Sequence, residues 1–315
     1  MSVRNDLSRM NLCDTMRPYV DVRDDLAERF ELFRAFLAVD CKFEHLDEPG
    51  LEVVDNRPAV PNYKVKKRAE GEEAIGLTLS HLGIDHTKRG IRLTFGGDLC
   101  AVSGIGASAA QVVSLARAVN EAESKNMSEE EINAAGYEGE KGYHGTPSGI
   151  DNTASTYGGL LRFQRTDGDP IFEKKRFPSP IRIVYATTGI TASTTEVVGD
   201  VRAKKEADET WFASMLDKYN KIVVEAEQTI NDGDLKRLGQ LMDQNHTFLQ
   251  ELTVSCKELD DLVVAAREAG AIGAKMTGTG RGGLCIALTP TPEIQCEVAS
   301  ALEKLAPQVW KTTFA

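Results

Sequence analysis

A chain of 315 residues, 41% hydrophobic and 27% charged, has an ordinary globular composition and enough length for two cores. With 37 basic against 48 acidic residues the net charge is −11. That excludes broad binding to nucleic acid or anionic membrane through clustered Lys and Arg, but not a small anion held by backbone N–H groups. No apolar run reaches the roughly 18 residues of a membrane span. The first residues, with Arg4, Asp6, Arg9, Asp14 and Arg17, hold no apolar stretch of secretory type.

In chain order, Asp24 to Ala38 sets Leu26, Phe30, Phe33 and Leu37 on one helical face, which predicts a surface or interface helix. Residues 56–63, Asn-Arg-Pro-Ala-Val-Pro-Asn-Tyr, read as a proline-punctuated loop. A helix through Ile75, Leu77, Leu79 and Leu82 is expected next. Ile91-Arg-Leu-Thr-Phe95 alternates as a half-buried strand, ended by Gly96-Gly97. A helix carrying Val112, Leu115, Ala116 and Val119 follows, and Ser128-Glu-Glu-Glu131 is the capping-box start of another. Residues 142–151 read as turn chemistry, then small residues, then a strand from Gly159 to Phe163. Phe177-Pro-Ser-Pro180 is the expected domain boundary. Beyond it come a strand over 181–186, helices over about 195–230, 234–250 and 255–269, a glycine-rich stretch over 270–283, a buried strand over 284–288 and a last helix over about 292–305. Six cysteines show no C-x-x-C spacing and five histidines are scattered, so reduced thiols in an intracellular protein and no zinc site are expected.

Three segments carry chemistry. Ser103-Gly-Ile-Gly-Ala-Ser-Ala-Ala110 runs straight into a helix. Glycines let backbone N–H groups approach a phosphate, and a helix N-terminus adds unpaired donors and partial positive charge. Small residues here also permit tight helix–strand packing, and the segment is neither a Walker A loop nor a Rossmann fingerprint. Glu140 and Asp151 flank Tyr143-His-Gly-Thr-Pro147. Phosphoryl transfer needs a magnesium ligand and a group near the substrate hydroxyl, which two carboxylates could provide, although loop carboxylates are commonly just solvated. Lys275-Met-Thr-Gly-Thr-Gly-Arg-Gly-Gly283 is too rich in glycine for a helix interior and suits either close ligand approach or a plain hairpin.

Taken together and in this order, the three segments resemble the GHMP small-molecule kinases. Gly145-Thr-Pro-Ser-Gly-Ile-Asp151-Asn152 with Gly158-Gly159, and Gly233-Asp-Leu through Asn245-His246, are similar to the mevalonate kinase branch rather than to galactokinase. The resemblance covers about residues 50–310. It implies an α+β fold of two domains. Residues 1–176 would form an ATP-binding domain of the left-handed βαβ, ribosomal protein S5 domain 2-like type, atypical over 1–45. Residues 177–315 would form a ferredoxin-like domain. It further implies ATP and Mg2+ as cofactors and mevalonate as the substrate, phosphorylated to 5-phosphomevalonate. Ser103, Gly104, Ile105, Gly106, Ala107, Ser108 and Ala109 would hold the nucleotide, joined by Thr277, Gly278, Thr279 and Gly280. Ser108 and Glu140 would coordinate magnesium, and Asp151 would be the catalytic carboxylate. His144, Asp151 and Thr277 would face the substrate. Arg165 is added as a carboxylate partner, because it shares strand parity with Leu161 and Phe163 and can bond bidentately, although the same position suits an exposed strand-end arginine equally well. A cytoplasmic location, with a peroxisome-like organelle left open, and a homodimer are compatible with this reading.

One family feature has no counterpart. The Gly-Glu-His type segment, which brings a lysine beside the catalytic aspartate, finds no match in residues 1–49, where there is no glycine at all. Lys42 is the nearest lysine, with no glycine turn to aim it. Weak or absent turnover with ATP binding preserved is therefore expected. Two alternatives stay open: a kinase of another mevalonate-like hydroxy acid, and a non-catalytic nucleotide-binding paralogue.

Overall fold

A computed structural model describes residues 28–32, 39–97, 99–101, 106–164, 171–190, 192, 194–278 and 280–314. These residues divide into two compact units: one runs to Gly158 from residue 39, and the other joins residues 28–32 to the chain from Gly159 onward. The first described element is a strand, β1 (Glu28–Leu32), so the helix expected over Asp24 to Ala38 is corrected there. Phe30 and Leu32 also stand two apart, a strand spacing, and long-range pairing overrides the local helical period.

The unit up to Gly158 is built on three strands: β2 (Asp40–His45), β3 (Leu51–Asp55) and β4 (Ile91–Gly96). β4 is central, antiparallel to β2 and parallel to β3. Helices α1 (Tyr63–Lys66) and α2 (Arg68–His81) make the β3-to-β4 crossover. The alternation of β4 is realised, with Ile91, Leu93 and Phe95 buried at 1% exposure or less. Against them lie Val113, Leu115, Ala116 and Val119 of α3 (Ala107–Ala122) and Ile132 and Ala135 of α4 (Glu129–His144). α4 starts as the sequence predicts: Ser128 Oγ accepts from the Glu131 N–H, and Glu131 Oε2 accepts from the Ser128 N–H.

Close packing sets the direction of α4. A methyl group on Gly139 would stand 2.2 Å from Thr78 Oγ1 and 2.7 Å from Val112, and one on Gly142 would stand 2.3 Å from the Ala74 nitrogen. No larger residue allows α2 and α3 to lie this near. Residues 142–144 therefore continue α4 rather than turning, and the turn is confined to 145–149. α5 (Ile150–Tyr157) then forms from residues of low helix propensity, with Asn152, Thr153 and Thr156 buried. Tertiary burial outweighs propensity in this segment.

In the other unit β1 pairs with β5 (Leu160–Gln164), which pairs with β6 (Ile171–Lys175), both antiparallel. The Phe177–Pro180 segment joins β6 to β7 (Ile181–Thr187). Then follow α6 (Thr194–Ala207), α7 (Glu209–Asp232), α8 (Leu235–Glu251), α9 (Lys257–Glu268), β8 (Gly273–Thr277), β9 (Leu284–Thr289), α10 (Pro292–Leu302) and β10 (Gln308–Phe314). The four strands form an antiparallel sheet in the order β10-β7-β9-β8, the arrangement of a ferredoxin-like layer. Val184, Ala186, Cys285 and Ala287 of the sheet pack with Leu262 and Val263 of α9 and Val298 of α10. The five described cysteines are free, and burial pushes the thiols of Cys41 and Cys285 up to about 12.

β8 is a sheet edge, and α8 closes it with side chains. Asp243 Oδ1 accepts from the Ala274 N–H at 2.8 Å, and His246 Nδ1 accepts from the Met276 N–H at 3.3 Å. Satisfying alternate N–H groups in this way removes the edge as a pairing surface. Nδ1 as an acceptor leaves the ring proton on Nε2, 3.1 Å from Asp260 Oδ1.

Candidate active site

Gly106 is the N-cap of α3 and holds φ at 65°, a conformation open to glycine without steric cost. As a glycine, Gly106 offers no side chain to cap the first turn of α3. The first-turn N–H groups of a helix point outward without intrahelical partners, and the helix dipole there favours negative charge. Ala107 and Ala109 are buried, which seats this turn against the core. Ser103, Gly104 and Ile105 lie outside the described residues, as do Arg165 and Thr279.

The carboxylates converge on this turn. Asp151 lies in the first turn of α5, and a methyl on Gly106 would stand 3.9 Å from its Oδ1. Glu140 projects from α4 and is 1% exposed. His144, one turn further along α4, places Nε2 3.7 Å from Glu140 Oε2 and 3.5 Å from Ser108 Oγ. Gly106, Ser108, Glu140, His144 and Asp151 are thereby brought together within one unit. A hydroxyl and a carboxylate are hard oxygen donors. Mg2+ typically takes one or two carboxylates plus phosphate oxygens and water, so this donor pair fits a magnesium ion carried by a nucleotide. Among the described residues no group of three or more His, Cys, Asp or Glu is arranged to hold a metal by itself.

Lys42 does not join this group. It stands on β2 with its side chain 68% exposed and donates to Glu44 Oε1 at 2.7 Å.

Sequence reasoning missed the charged cluster beneath α3. Arg57 is 6% exposed, donates Nε and Nη2 to the two carboxylate oxygens of Asp55 at 2.9 and 2.8 Å, and donates Nη1 to the Ala107 carbonyl at 3.2 Å. Burial alone would raise the Asp55 carboxyl, but the Arg57 guanidinium, with Lys64, holds it below the usual carboxylate range. An Asp–x–Arg spacing carries no periodic signal. Only the proline-rich loop around it marked the segment.

Thr277 ends β8, and Gly278 and Gly280 follow in buried positions. The loop is pinned on two sides. The Arg281 N–H donates to the Val254 carbonyl and the Gly283 N–H to the Ile190 carbonyl, both at 2.8 Å. A methyl on Gly280 would stand 2.1 Å from the Val254 oxygen.

Comparison with known proteins agrees with this architecture. The family models "GHMP kinases N terminal domain" and "GHMP kinases C terminal" match residues 68–159 and 225–308. Mevalonate kinase of Thermococcus sibiricus is 36% identical over 238 residues, covering 73% of this chain and 68% of that protein. Mevalonate kinase of Pyrococcus furiosus is 37% identical over 235 residues, with coverage of 73% and 68%. The chain thus spans about two thirds of the length of these relatives. The crystal structure of L. major mevalonate kinase in complex with R-mevalonate is 41% identical, covers 91% of this chain and 89% of its own, and gives a TM-score of 0.87. Methanococcus jannaschii mevalonate kinase, 23% identical with a TM-score of 0.71 and coverage of 89% and 90%, shares the fold. The chain belongs to the GHMP kinases and, within them, to the mevalonate kinases.

Proposed function

We propose that this chain transfers the γ-phosphoryl group of ATP to the 5-hydroxyl of mevalonate. The observation that carries the reading is that Asp151 lies beside Gly106, the N-cap of α3, while His144 stands between Ser108 of that turn and the buried Glu140. Gly106 to Ala109, with Ser103, Gly104 and Ile105, hold the phosphates, and Thr277, Gly278, Thr279 and Gly280 contribute to the nucleotide site. Ser108 and Glu140 hold the magnesium ion, which neutralises charge on the phosphates when bound. Asp151 faces the attacking hydroxyl, and its negative charge favours loss of the hydroxyl proton. His144, Thr277 and Arg165 take the remaining polar groups of mevalonate, with Arg165 on its carboxylate. Catalysis of this kind rests on positioning and fixed charge rather than on covalent chemistry. A cytoplasmic homodimer is the assembly we propose. Among the described residues no helix is long and apolar enough to cross a membrane.

The exposed Lys42, paired with Glu44, supports weak turnover, since no lysine of residues 39–49 is aimed at Asp151. Removing one preorganised charge costs about 10²–10³ in rate. A coupled ADP-release assay with mevalonate tests this. Turnover well below the roughly 1–100 s⁻¹ usual for kinases is expected. Turnover within that range would show that another cation has taken the role.

A further inference from the structure

We infer that Arg57 is a positioning residue of the nucleotide site: its guanidinium ties the first turn of α3, which begins at Ala107, to the end of β3. The inference rests on the kinase reading above. A buried arginine is costly unless every part of its fork is satisfied. Here it is fixed from three sides. Asp55, the last residue of β3, takes Nε and Nη2. Phe95 of β4 lies under the guanidinium, 5.6 Å from the ring centroid. Lys64 of α1 donates to the carbonyl oxygens of both Asp55 and Arg57, which holds the backbone of the segment.

With Asp55 satisfied by two of the N–H donors, Nη1 is left over, and it reaches the Ala107 carbonyl across 50 residues of sequence. An ion pair serving only local stability would not need that reach. The acceptor is the first residue of α3, directly after the left-handed Gly106. A shift of this turn moves the N–H groups that would meet the phosphates, while Asp151, Glu140 and His144 hang on other helices. A lysine cannot reproduce the arrangement, because a single ammonium lacks the planar fork that bonds a carboxylate and a carbonyl together.

Mg·ATP and mevalonate are titrated calorimetrically into the full chain and into Arg57→Met, Arg57→Lys and Asp55→Asn. The expected result is a loss of ATP affinity of about tenfold or more in both Arg57 variants, the size of one charge-assisted hydrogen bond. Asp55→Asn is expected to show a smaller loss, and mevalonate affinity is expected to stay within about twofold in all three. A purely structural role would lower Tm and leave both affinities of the folded fraction unchanged, which would overturn the inference. If Arg57→Met does not fold, Arg57→Lys carries the same comparison. Failure of the unmutated chain to bind Mg·ATP would instead remove the kinase reading, and this inference with it.

Discussion

Asp151, in the first turn of α5, and Ser108, in the first turn of α3, have different work in the proposed site. Asp151 acts on the hydroxyl, so Asp151→Asn, which keeps shape and removes charge, is expected to lower turnover by about 10²–10³ with ATP affinity within about twofold. Equal turnover in the variant would remove Asp151 from the chemistry. Ser108→Ala deletes a magnesium ligand oxygen, so calorimetry is expected to show weaker binding of Mg·ATP with metal-free ATP little affected. His246 tests the reading of the sheet edge. Burial is the main cause that lowers its pKa below 6.5, despite the nearby Asp260. Below about pH 6.5 the unfolded chain takes up a proton that the folded chain refuses, so stability falls as pH drops from 7.5 toward 5.5. His246→Gln is expected to flatten that component of the Tm-against-pH curve, and an unchanged slope would mean that other groups produce it.

At the scale of elements, α4 is the piece that places Glu140 and His144, and its fit depends on Gly139 and Gly142. Gly139→Ala pushes a methyl into Thr78 and Val112 and is expected to cost about 1–3 kcal/mol by overpacking, read as a lower Tm. Ser128→Ala at the other end removes the capping box and is expected to cost about 1 kcal/mol. A Gly139→Ala variant as stable as the parent would contradict the close helix approach. Elements with a strong hydrophobic period are legible in the sequence itself. Val112, Leu115, Ala116 and Val119 all fall on the buried side of α3, and β4, β7 and β9 alternate or run apolar as expected. β2, β3, β6, β8 and β10 carry no such period. Cys41-Lys-Phe-Glu44, Leu51-Glu-Val-Val-Asp55 and Ile171-Phe-Glu-Lys-Lys175 mix polar and apolar residues on short strands, Lys311-Thr-Thr313 is polar throughout, and Gly273-Ala-Lys-Met-Thr277 lies within the glycine-rich stretch. α5 was missed because Asp-Asn-Thr reads as turn chemistry until burial is known. In the site, the residues tied to a motif were found and Arg57 was not, since its meaning lies in a contact with Ala107 far along the chain.

For the whole molecule, the order of three motifs along 315 residues carried more than any one of them, because each alone has a bland reading as packing, solvated carboxylates or a hairpin. The family matches fall on both units, over residues 68–159 and 225–308, so the resemblance is not the property of one loop. The central claim is that the Gly106–Asp151 site phosphorylates mevalonate. Mevalonate-dependent formation of ADP and 5-phosphomevalonate by the full chain, compared with Asp151→Asn at saturating Mg·ATP, tests it most directly. The account predicts product formation that requires mevalonate and is largely lost in Asp151→Asn while Mg·ATP binding persists. ADP release independent of mevalonate, or equal product from both proteins, would contradict it.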